Sequence, residues 1–569
     1  MSASSGPDLE KFVQPMPVPE TKAPERKNRR ANGPHYEMAV EEFETNLHPD
    51  LPKTTLWGYD GQFPGPVVEG WRGKSLSIEF DNSDLPTDHV FDIDDRIGGC
   101  NPEDYHGFDG PVPDVRTVTH FHGLNVAPES DGQADMWDSP EGPTGPRYDG
   151  PVQEFPNEQP RTSTTYHDHA LGISRLNNYL GLVGPYLIKS AAERSLNLPR
   201  GEYDVPLVLT DRSFEEDGSL HYPSSFRPNV AGDTAVVNGA VWPYMEVEPR
   251  RYRFRILNPS NGRTYGLHLE NESSTHGGVP HVHQIAPGHG FLEDVVTVGH
   301  GGDLERLLIA PFERADVVVD FSGHEGETFT LKNDAAFPFG GGHGGGHGGD
   351  EDGDHGEGGD EDVGLTDLLQ FRVTDPDRPV ADPSTPATSL DLPGNEELPD
   401  SEDPDPAVTR EMELGMTRGE YGLPKHVLNG KGFHDPIQAK PELDSVEVWE
   451  LTNNTMHTHP IHLHLVQFRV IGRGPDGTDE PLPNERGGKD TVRVNPGETV
   501  RIAVRFSDHT GQFPWHCHIL EHEDHEMMRP FEVVDSDGDD GGNGTGNNGN
   551  GNGNGNGNGN NGRGNGKGR

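Results

Sequence analysis

An all-β chain of three related sandwich or barrel units is what this sequence predicts, on three observations. Short runs of alternating apolar and polar residues are separated by turn signals, one such run recurs three times, and sustained helical periodicity is scarce. The first run, Leu76, Ile78 and Phe80, follows the turn cluster Gly61-Gln62-Phe63-Pro64-Gly65-Pro66. The second carries Tyr252, Phe254 and Ile256 alternating with Arg251, Arg253 and Arg255, after Asn238-Gly239 and before Asn258. The third carries Val446, Val448 and Leu451, after Asn429-Gly430, and closes at Asn453. A later strand repeats too: Val317 to Val319 after Pro311-Phe312-Glu313-Arg314, and Val500, Ile502 and Val504 after Pro496-Gly497-Glu498. Self-similarity of this kind marks duplicated units, and 569 residues exceed what one core can organise.

The units are expected at residues 33–195, 196–374 and 407–535. Residues 1–32 are polar, with Pro and a basic patch (Arg26, Lys27, Arg29, Arg30), and read as an arm. Three stretches cannot bury a core: Gly340 to Gly364, mostly Gly, acid and His; residues 375–406, rich in Pro and acid; and the Gly-Asn tail 536–569. On composition all three read as disordered or linker sequence, the first as a loop inserted in the second unit.

Lys and Arg number 45 against 96 Asp and Glu, a net charge of −51. A phosphate-binding face needs clustered cations, so nucleic acid is excluded as a partner. Self-repulsion on this scale weakens a compact state in dilute buffer, whereas in molar salt the Debye length is roughly 3 Å and the repulsion is screened. The composition is that of a salt-adapted protein. No run of 18 apolar residues is present, so no membrane-spanning helix is expected. The N-terminus has neither a basic n-region nor an apolar h-region, which fits cytoplasmic residence or an exported chain whose leader is missing. Asn271, Asn453 and Asn543 match the glycosylation triplet, a weak signal. Of two cysteines, Cys517 has a chemical role and Cys100 is then left as an inert thiol without a disulfide partner.

That role is set by the run His516-Cys517-His518-Ile519-Leu520-Glu521-His522-Glu523-Asp524-His525-Glu526-Met527. A thiolate, an imidazole five positions on and a thioether ten positions on are donors of a blue-copper centre. In extended chain, neighbouring side chains face opposite ways, so His516 and His518 cannot share a metal with Cys517. Three further clusters stand out: His120-Phe121-His122-Gly123, His167-Asp168-His169 and His459-Pro460-Ile461-His462-Leu463-His464. A His-x-His pair on a strand aims both rings to one face and supplies two ligands at little ordering cost. Ten histidines and one cysteine are too many for a single site, and zinc closes with three or four protein ligands.

The four clusters match HxHG, HxH, HPxHxH and HCHxxxHxxxxM, and the chain thereby resembles the multicopper oxidases, a family of three cupredoxin (Greek-key β-sandwich) domains. Flanking stretches are most similar to the bacterial spore-coat laccase and bilirubin oxidase branch: Tyr166 to Ala170, Val237-Asn238-Gly239-Ala240-Val241-Trp242-Pro243, Pro311 to Arg314, and Met527-Met528-Arg529-Pro530. The resemblance covers about residues 33 to 535 outside the acidic inserts. It implies four copper ions. His459, Cys517 and His522, with Met527 axial, would hold the type 1 ion; His120 and His462 the type 2 ion; and His122, His167, His169, His464, His516 and His518 the type 3 pair. The second unit carries no ligand.

By the same resemblance, Asp131 and Glu523 supply protons for dioxygen reduction, and electrons enter at His522. The expected activity is laccase-like: one-electron oxidation of phenols or aromatic amines coupled to reduction of dioxygen to water. Alternatives are a cuprous or other metal-ion oxidase, for which no Met-rich segment stands over the site, a bilirubin-oxidase-like enzyme, and a copper-storage or coat protein. His343, His347 and His355 are expected to be solvated loop residues, and a monomer is expected.

The charge balance predicts loss of far-ultraviolet circular dichroism on dialysis from molar to millimolar NaCl. A spectrum unchanged over that range would sink the salt-adaptation reading.

Overall fold

A computed structural model describes residues 6–535 apart from 28–32, 106–107, 109, 141, 274–277, 341–363, 396, 402–403 and 420. His343, His347, His355, Asn543, the basic residues Arg29 and Arg30, and the Gly-Asn tail lie outside the described residues.

The chain forms three cupredoxin-like domains, each a pair of sheets, and the recurrent strand occupies the same place in all three. In each, a long opening strand runs parallel to it: Pro34–Thr45 with Leu76–Asp81, Asp204–Phe214 with Arg251–Leu257, and Val408–Arg418 with Val446–Asn453. The second repeated strand, Arg314–Asp320 or Thr499–Arg505, pairs antiparallel on its other side. Alternation fills the cores. Leu76 and Ile78 pack with Met38 and Val40, Tyr252 and Phe254 with Val317 and Val319, and Val448 and Leu451 are buried beside Ile502 and Val504. Each such side chain contributes about 1.5–3 kcal/mol by leaving water.

Expectation and structure part at the polar face of Arg251–Leu257. Arg253 and Arg255 are buried, not solvated. They meet Glu193, Asp204 and Asp316, and Arg161 of the first domain joins the same cluster at 2.6 Å from Asp316. The second domain is fixed to the third by a similar set, Glu313 to Lys489 at 2.9 Å and to Arg493 at 3.0 Å.

The acidic segment 375–406 is not a free linker either. Asp382 accepts the Arg251 backbone N–H at 3.0 Å, Ala387 packs with Leu196, Leu198 and Ile285, and Pro399 O accepts from Arg469 Nε at 2.9 Å. Composition missed this because the few apolar residues are spaced to fit a groove between partners distant in sequence. The described part of the arm is also tied down, with Phe12 N–H on Trp242 O and Lys22 N–H on Val67 O. No helix of the described residues is long and apolar enough to cross a membrane.

Within the third domain, Glu485 takes a two-point contact from Arg473, at 2.6 and 2.5 Å, in full burial. Burial opposes ionisation there, but the Arg473 guanidinium outweighs it and lowers the carboxyl from 4.5 to about 2. Because the folded-state pKa is depressed, the stabilisation is complete above 4.5 and is lost as pH falls towards about 2. Glu485→Gln should therefore cost roughly 3 kcal/mol at neutral pH. Measured by thermal unfolding in molar salt, the gap to wild type should shrink as the pH is lowered below 4.5.

Candidate metal centre

Two four-stranded sheets, one in the first domain and one in the third, carry most of the histidine pairs. Thr119–Phe121 lies against Thr162–Asp168 with His120 opposite His167, and His459–Leu463 lies against Gly511–Cys517 with His462 opposite His516 and Ile461 opposite Cys517. Cross-strand register thus brings separate sequence clusters side by side, and the two sheets converge on one core. Eight rings meet there, His120, His122, His167 and His169 from the first domain and His462, His464, His516 and His518 from the third, all fully buried. His120 stacks on His464 at 3.8 Å between centroids and His122 on His462 at 3.7 Å.

One nitrogen of most rings is tied to protein. Nδ1–H of His120 donates to Asp131 O at 2.6 Å, that of His167 to Asp168 O at 2.9 Å, that of His462 to Asp490 O at 2.9 Å, and that of His516 to Cys517 O at 3.1 Å. His464 Nδ1 is 2.9 Å from Asp131 Oδ2, and His122 Nε2 is 2.9 Å from Asp490 Oδ1. Such partners fix the tautomer and leave the other nitrogen as a lone pair. Those lone pairs point inward: Nε2 of His120, His167 and His462 has no partner, His464 Nε2 is 3.2 Å from His516 Nε2, and His122 Nδ1 is 3.1 Å from His518 Nε2. Burial holds His120, His122, His462, His464 and His518 far below their ordinary pKa, so these rings are neutral. Neutral nitrogens converging in a buried core are donors suited to metal ions.

The second group lies on the other side of Cys517. Its Sγ is 3.5 Å from His459 Nδ1 and 3.6 Å from His522 Nδ1. The strand ends at Cys517, and the short helix Leu520–Asp524 turns His522 back towards the sulfur while Glu523 faces the histidine core. Ile519 N–H donates to the sulfur at 3.5 Å. Burial pushes the thiol pKa up, so a thiolate here requires a cation beside it. Met527 shares the core of Cys517 and Ile461, whereas Met528 packs elsewhere with Tyr105, Trp137 and Ile173. Thiolate, two imidazoles and a buried thioether fit copper.

Asp131 and Glu523 both reach the eight-histidine core. Burial raises Asp131 to about 7. Glu523 Oε1 is 2.9 Å from His169 Nδ1 and Oε2 is 3.1 Å from His516 Nδ1, ion-pair distances without hydrogen-bond geometry. Burial opposes its ionisation, but those two imidazoles hold its pKa below the usual carboxylate range.

Chain and fold are matched by known proteins. Residues 403–537 match the family model for multicopper oxidases. A laccase of Haloferax volcanii is 56% identical over 532 residues, 93% of this chain and 86% of that protein. The chain belongs to the multicopper oxidase family. A laccase of Bacillus stratosphericus is 40% identical over 560 residues, 93% of this chain and 100% of that protein. The crystal structure of a laccase from Pediococcus acidilactici superposes with a TM-score of 0.67 at 29% identity, covering 93% of this chain and 95% of that one. This multicopper oxidase is a laccase-like, copper-dependent oxidoreductase that uses dioxygen as electron acceptor.

Sequence reasoning missed four residues of this oxidase's site. Asp490 accepts from His122, holds His462 through its carbonyl, takes Arg314 on both oxygens at 2.6 and 2.5 Å, and lies 2.6 Å from His289 Nε2. Arg314 keeps the Asp490 carboxyl ionised against burial. Phe312 stacks on His518 at 3.8 Å. Arg314, His289 and Phe312 all belong to the second domain, which contributes no ligand of its own. The motif Pro311 to Arg314 was visible, but its contact with the core was not. The Gly of the first His cluster explains itself here: Gly123 has φ +71, and a Cβ on it would overlap the Asp490 carboxylate.

Asp490→Asn removes the charge that anchors Arg314 and one acceptor for His122. Copper affinity at the eight-histidine core is expected to fall about 10- to 100-fold. Elemental analysis after dialysis against a graded chelator checks this, and wild-type copper retention would refute it.

Proposed function

We propose that the chain holds four copper ions and oxidises small aromatic reductants. His459, Cys517 and His522, with Met527 axial, would hold the type 1 ion; His120 and His462 the type 2 ion; and His122, His167, His169, His464, His516 and His518 the type 3 pair. Copper at these positions supplies the one-electron couples that link four substrate oxidations to reduction of one dioxygen to two waters.

The observation that carries this reading is the strand ending Trp515-His516-Cys517-His518. Cys517 Sγ faces His459 and His522, while the rings on either side of it lie in the eight-histidine core. The covalent path from sulfur through backbone to His516 and His518 is the chain's own conductor between the two donor sets. Asp131 meets the core through His464 and, with burial raising it to about 7, carries a proton near neutral pH, while the ionised Glu523 between His169 and His516 is the one that can accept one. Depth excludes bulk water, so protons reach the core by way of such carboxyls and not by diffusion. Electrons enter at His522, the ligand carried by the short helix Leu520–Asp524. The preference for phenols and aromatic amines rests on the laccase relatives.

Oxygen uptake by copper-loaded protein with a phenol tests the activity. Cys517→Ser should abolish both uptake and the blue absorbance while about three coppers per chain remain. Loss of all copper from that variant would require a different division of ligands.

A further inference from the structure

His522 has no surface of its own. What covers it is His426, on the strand Pro424–Leu428. The two rings lie 3.8 Å apart between centroids with planes 30° from parallel, and His426 is 5.4 Å from the ring of His459. His426 is 5% exposed, and no hydrogen bond to another described residue ties its ring nitrogens. With no hydrogen bond and neither nitrogen among the buried unpartnered atoms, the largely buried imidazole keeps a polar atom open to a partner at the surface.

Its surroundings say which partner. Met416 is directly opposite His426 in the strand pair, so both side chains share one face, and Met416 is 62% exposed. Tyr421, in the connection between the two strands, is 63% exposed, and Met456, three residues before His459, is 83% exposed. Thioethers make favourable contacts with aromatic rings, and a neutral imidazole offers one acceptor to an O–H. Met416 and His426 on one face fit a planar phenol lying against the thioether with its hydroxyl on the imidazole.

We propose that His426 is the residue that touches the reducing substrate: a phenol hydrogen-bonds to it and passes its electron through the stacked His426–His522 pair. In each event the phenolic O–H bond breaks, the proton leaves to water at the rim, the electron goes to the Cys517 site that the oxidase activity keeps oxidised, and a phenoxyl radical departs. His426 thereby selects donors that carry an O–H or N–H, whereas a donor without one reaches the Cys517 site without that hydrogen bond. The inference rests on the aromatic-reductant reading above and specifies it.

The test uses copper-loaded wild type, His426→Leu and His426→Gln in molar salt. It compares oxygen uptake with a dimethoxyphenol and with ferrocyanide, which has no hydrogen to donate, and records the blue absorbance of each protein. His426→Leu should raise the phenol KM about tenfold. It should leave the ferrocyanide KM within about twofold and the blue band in place. His426→Gln, which restores an acceptor, should recover most of the phenol KM. Equal shifts for both donors, no shift for either, or a moved blue band would overturn the assignment. Wild type active with ferrocyanide but not with the phenol would overturn the aromatic-reductant reading itself and this inference with it.

Discussion

Buried imidazole nitrogens without partners are costly, and the centre of this molecule packs eight histidine rings into a core with no surface. Most of the architecture around it answers that constraint. Most ring nitrogens are either tied back to a carbonyl or carboxylate or aimed at the interior, where a metal ion would turn repelling lone pairs into ligands. Asp131 does this for His120 and His464, and Asp490 for His122 and His462. Each aspartate thus spans a first-domain and a third-domain ring, one through its carboxylate and the other through its backbone carbonyl. The interface between the domains is therefore part of the site and not merely its location.

The two donor sets are joined at one strand end. Alternation along Gly511–Cys517 sends the sulfur to one side and the flanking imidazoles to the other, and a five-residue helix brings His522 back within reach of the sulfur. The same helix carries Glu523 towards His169 and His516, and Asp524 onto the first turn of Ser174–Leu180, where it accepts from two backbone N–H groups at 3.1 and 2.9 Å. One short helix thus fixes an imidazole beside the Cys517 sulfur, a carboxylate against two core histidines and a domain contact together.

Charge is distributed to match. Although acids outnumber bases 96 to 45, many of the arginines are inside: Arg161, Arg253, Arg255, Arg314, Arg473 and Arg493 are all buried in ion pairs. Several of these pairs cross domain boundaries, where a lost partner would leave an uncompensated charge. Cations drawn inward leave the outer surface acidic, which is tolerable where salt screens repulsion and the buried pairs are not screened.

The sequence by itself determined the donors and the local geometry that presents them. His-x-His pairs on strands, the Cys517 spacing and the threefold strand pattern are local, because side-chain alternation has a period of two and needs no knowledge of the rest of the chain. The motifs named Asp131 and Glu523 among 96 acids, and tertiary structure alone added Asp490 against the histidines. Asp490 is an ordinary residue in the sequence and becomes a hinge of the site only when Arg314 and His289, some 176 and 201 positions away, fold onto it. It also decided that Arg253 and Arg255 face an ion network instead of water, that the acidic segment after the second domain is packed, and that His426 lies over His522. These are contacts between elements far apart in the chain, and no periodicity encodes them.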